Sequence, residues 1–66
     1  MTELQKLIVD GFRALGAQKE AAMVALIQLK TEKQQNQLLD WMLERGADNP
    51  PTQKELMEKV DEIAES

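Results

Sequence analysis

Cysteine, histidine and tyrosine are all missing from this chain, and each absence removes a class of chemistry. Without cysteine there is no disulfide and no thiolate metal site. Without histidine there is no zinc-finger pair and no imidazole acid or base. Together the gaps strip out most nucleophilic and acid–base catalysis, so no enzyme activity, catalytic residue, cofactor or metal is expected. Long apolar runs are missing too. The longest, Ala21 to Ile27, falls far short of the ~20 residues that span a bilayer. The N-terminus carries no charged stretch followed by such a run, so no signal peptide is read. A cytoplasmic protein is the expectation, which the lack of cysteine fits.

What remains is 66 residues, enough for one small helical domain over 1–66. A core below about 70–80 residues rarely supplies more than about 3–5 kcal/mol. Small folds therefore need a staple. With disulfide and metal excluded, association with itself or with another protein is the staple left. Eight basic residues face twelve acidic ones, a net charge of −4. That balance opposes non-specific nucleic-acid binding and docking on an anionic membrane. The charge is uneven: residues 1–30 carry +1 and residues 31–66 carry −5.

Thr2, Thr31 and Thr52 are each followed three places on by Gln or Glu, which is the spacing of a capping box. Each stands just ahead of a helical apolar pattern, and no strand-like alternation competes. The patterns predict an all-α, compact bundle of four short helices, about 3–15, 18–29, 32–45 and 53–65. Leu4, Leu7, Ile8, Phe12 and Leu15 make one stripe of helix 1. Gly11 within it marks a close approach by another helix, and Gly16 closes the helix. Helix 2 is apolar almost all round, since only Gln28 is polar between Ala21 and Leu29. Such a helix belongs at the centre of the bundle or in a dimer core. A single bent helix over 18–45 is the alternative, and the Thr31 box favours two. Leu56, Met57, Val60, Ile63 and Ala64 line helix 4, with Glu55–Lys59 and Lys54–Glu58 spaced for i,i+4 pairs.

Four constellations invite a function. Glu55, Glu58, Asp61, Glu62 and Glu65 lie opposite the apolar stripe of helix 4, and a charge run of this kind usually solvates. Its sharper reading is an acidic inhibitor that occupies a basic site on another protein. Gln34-Gln35-Asn36-Gln37 opens helix 3 as a recognition helix would, and Asn or Gln can read adenine. Only Lys30 and Lys33 stand near to hold phosphate, so direct DNA binding through helix 3 ranks as an alternative. The methionines fit core filling. Trp41 suits either the core or an interface, and Arg45 at i+4 is placed to lie over its ring.

Gly11-Phe12, Ala25-Leu26 and Leu39-Asp40-Trp41-Met42-Leu43 are faintly similar to the ubiquitin-associated domain. That family has a Gly-Phe loop, an Ala-Leu pair and a last helix ending in aromatic and leucine residues. Here the run from Phe12 to Ala25 is several residues longer, and Gly11-Phe12 falls within helix 1, so no family is assigned. The expected function is a small protein-interaction module acting through an apolar helical face, most simply as a homodimer. Its expected interface residues are Trp41, Leu43, Val24, Ile27 and Arg45. In a four-helix monomer, helix 2 has more apolar surface than three neighbours can cover. No small-molecule ligand is evident.

Overall fold

Three threonines set where helices begin. Thr2, Thr31 and Thr52 each accept, at Oγ1, a bond from the N–H of Gln5, Gln34 and Glu55, at 3.1, 3.1 and 3.2 Å. The side chains of Gln5, Gln34 and Glu55 accept in return from the threonine N–H groups. Two otherwise free donors are satisfied at each start. The computed structural model describes all 66 residues and contains α1 Glu3–Ala14, α2 Lys19–Gln28, α3 Glu32–Arg45 and α4 Gln53–Glu65. The four expected helices are present, their ends within one residue of the predicted ones, and there is no strand. Helices 2 and 3 are separate, as the Thr31 box requires.

The helix ends are satisfied as carefully as the starts. After α1, the Gly16 N–H donates to Arg13 O and the Ala17 N–H to Phe12 O, both at 3.0 Å. This is the Schellman pattern, and it needs the left-handed φ of 80° that Gly16 adopts. At the end of α2, Leu29 leaves helical space with its carbonyl unused by the helix. The buried Gln35 side chain fills the gap, donating through Nε2 to Leu29 O at 2.8 Å. Before α4, Pro51 and Leu56 occupy the two positions of a hydrophobic staple, and both are buried.

The helices form a ring in the order α1, α2, α4, α3, in which each packs on two neighbours and only touches the helix across the diagonal. Ile8, Phe12, Ala21, Ala22, Ala25, Leu29, Leu38, Met42, Leu56, Val60 and Ile63 fill the middle. Gly11 on α1 faces the side chain of Met42 on α3. A Cβ there would stand 2.5 Å from Met42 Cε, so the glycine makes room for the methionine. Gly11-Phe12 is helical, with none of the loop that a ubiquitin-associated domain places there.

Helix 2 enters the core through one arc only. Ala21, Ala22 and Ala25 point inward against α1 and α4, while Met23, Val24 and Ile27 stay exposed. Its neighbours bury the alanines fully, cover Leu26 in part and leave Met23, Val24 and Ile27 exposed. The anticipated i,i+4 pairs on α4 are replaced: Glu55 turns to Arg45 at 2.9 Å and Lys59 to Glu62 at 3.2 Å. No helix is long and apolar enough to cross a membrane.

Candidate interaction face

Met23, Val24 and Ile27 lie within an arc of roughly 100° on α2, by the 3.6-residue period. They are 41%, 41% and 69% exposed. Glu20 falls on the same arc, one turn towards the helix start. Along one side of this face runs a groove of about 480 Å³ between α1 and α2, in which Val9, Phe12, Ala17 and Ala22 meet Arg13 and Lys19. The face exists because α2 is apolar nearly all round, while its neighbours cover the alanines and, in part, Leu26. Fully burying one large apolar side chain is worth about 1.5–3 kcal/mol, and only the exposed part of these three, most of it on Ile27, remains to be gained.

The five expected interface residues divide among three places. Val24 and Ile27 lie on the α2 face. Leu43, 69% exposed, lies on the flank of α3 away from Trp41, and α2 and α3 are diagonal in the ring. Trp41 and Arg45 lie together in the seam between α3 and α4. The Arg45 guanidinium sits 5.3 Å from the Trp41 ring centre, and Lys59 Nζ approaches to 5.8 Å. Both are cation–π distances. Arg45 is further committed, with Nε donating to Asn49 O at 3.0 Å and a terminal nitrogen donating to Glu55 Oε2 at 2.9 Å. It thereby ties the end of α3, the following loop and the start of α4 together. The bond from Arg45, followed by that from the Thr52 backbone, holds the Glu55 carboxyl below its ordinary value.

A shallow groove of about 380 Å³ lies beside Trp41, lined among others by Gln37, Asp40, Lys59 and Glu62. The polar turn at the start of α3 is half spent on the fold. Gln34 accepts from Thr31 and Lys30, and Gln35 is buried on Leu29, which leaves Asn36 and Gln37 facing outward. Glu58, Asp61, Glu62 and Glu65 are exposed along α4, and nowhere do three carboxylates gather as metal ligands would. Every buried side-chain polar atom has a partner.

Met23 does not fill the core as the sequence suggests for the methionines, and Leu7 stands out of the stripe of helix 1; both are exposed, and the internal role of Gln35 has no signal in the sequence. The signal for Met23 was the size partition of α2. Its alanines fall on one arc and its large residues on the other, and small residues mark the side where helices approach closely. Searches against protein families, curated proteins and solved structures gave no match to this chain.

Proposed function

We propose that the chain is a non-enzymatic protein-interaction module that docks through the exposed apolar face of α2. The observation that carries this reading is the outward arc of Met23, Val24 and Ile27, large apolar side chains that stay exposed on a helix whose fully buried residues are alanines. Association is also the staple that a chain of this size, without disulfide or metal, has available. Direct DNA reading through α3 is less well supported, because Gln34 and Gln35 already serve the fold and α2 does not pack closely on α3.

The test is a photo-crosslinking amino acid placed at position 27, in cells that express the protein. Ile27 projects outward, so the replacement leaves the core intact. Discrete adducts are expected from position 27 and none from position 62, where Glu62 lies on the solvated face of α4. A clean absence of adducts at position 27 overturns the proposal.

A further inference from the structure

We infer that the occupant of the α2 face is a second copy of this chain, laid antiparallel across a two-fold axis, an inference that rests on reading this face as the docking surface. The order of charges along the exposed stripe selects that partner. Glu20 opens the stripe one turn ahead of Met23 and Val24. Ile27 follows, and Lys30 stands just past the helix end. Glu20 and Lys30 are both exposed, and neither takes part in an ion pair within the chain. They stand at equal distances in sequence from Ala25, on either side of it.

A two-fold axis at the level of Ala25 therefore sets Met23 against the partner's Ile27 and Glu20 against the partner's Lys30, with each contact made twice. This is an isologous contact, in which one patch is complementary to itself. Parallel pairing would place Glu20 near the partner's Glu20 and Lys30 near the partner's Lys30, and like charges oppose that. Antiparallel pairing also brings the positive start of each helix near the negative end of the other. Helix 2 has an acidic residue in its first turn and no basic residue in its last, so Lys30 is the cation available at that end.

Size limits the strength of such a contact. A standard interface takes about 800 Å² from each partner. That is less than a fifth of the 4505 Å² this chain exposes. Helix 2, with 10 residues, is about 15 Å long and covers only part of that area. The flank of α1 across the groove, where Val9 is half-buried, adds to it. The dimer is thus at the small end of interface sizes and dissociates on dilution.

Sedimentation of charge-reversed variants tests both the partner and its orientation. Glu20→Lys sets lysine against lysine twice, and Lys30→Glu sets glutamate against glutamate twice. Each variant alone is expected to dimerise about tenfold more weakly than the natural chain. Mixed in equal amounts they form opposite-charge pairs at both contacts, so a 1:1 heterodimer of restored affinity is expected. Both residues are exposed, and an unchanged circular dichroism spectrum confirms that each variant is folded.

If the natural chain dimerises and the reversals change nothing, the dimer uses another face and the inference is overturned. If the natural chain stays monomeric up to about millimolar concentration, self-pairing is overturned as well. Crosslinks from position 27 to a different protein would then leave the docking face standing, whereas no crosslink at all would remove both readings.

Discussion

Arg45 shows how a single residue divides its work. Its fork of donors reaches Asn49 O and Glu55, and its flat face covers Trp41. From the sequence, an arginine four places after a tryptophan fits an interface as well as a seam, because both use the same stacking geometry. The deciding partner, Glu55, lies across a turn containing two prolines, and no local pattern points from one to the other. This pairing sets a pH dependence. The Glu55 carboxyl is held below its ordinary value of 4.5, first by the bond from Arg45. A lowered folded-state value means that the stabilisation is present at and above the ordinary value and is lost as pH falls through the lowered one. Glu55→Gln keeps an acceptor for the Thr52 capping box and removes the charge that meets Arg45. This variant is expected to melt below the natural chain at neutral pH and to converge with it in acid. Thermal melts followed across that range check it; parallel curves at all pH values would show that the pair contributes nothing.

Among the four helices, α2 alone begins without a side-chain cap. Gln18 occupies its N-cap in extended backbone, and its side chain bonds to no amide of the first turn. Its own N–H is held instead by the Gln53 side chain at 2.9 Å, which links the starts of α2 and α4. Asp at an N-cap is among the best acceptors and also suits the positive end of a helix. Gln18→Asp is therefore expected to stabilise the fold by about 0.5–1.5 kcal/mol, read as a higher urea midpoint with an unchanged slope. The other three starts were legible in the sequence because a capping box is a purely local device, written within four residues. The burial of α2 was not. Whether an apolar arc is covered depends on which helices lie beside it, and that ring order is a long-range property. Leu43 and Val24 illustrate the limit: both are surplus apolar surface by pattern, yet the ring sets α2 and α3 on opposite corners.

At the scale of the molecule, a 66-residue chain with a radius of gyration of 10.5 Å has a small core and a large fraction of surface. Stability and association are then coupled, since a partner that binds only the folded chain adds to its stability. The natural chain is expected to melt at a higher temperature as its concentration rises, while Ile27→Glu melts at one temperature throughout. For a domain of this size, 1 kcal/mol of added stability moves the midpoint by about 4–8 °C, which a scanning calorimeter resolves readily. A natural chain whose midpoint is also independent of concentration would mean that its folded state gains nothing from a second copy.

The diagonal placement of α2 and α3 bears on how the chain reaches its fold. Helices consecutive in sequence pack within each half, α1 on α2 and α3 on α4. The contacts that close the ring, α1 on α3 and α2 on α4, join one half to the other. Each hairpin closes a short loop at little entropic cost, whereas the contacts between the halves join residues far apart in sequence and carry the larger loop-closure cost. The crossing segment, Leu29 to Thr31, is bridged by Gln34 and Gln35 from the start of α3. The face of α2 stays exposed once the ring is closed, so completing the fold does not by itself cover it.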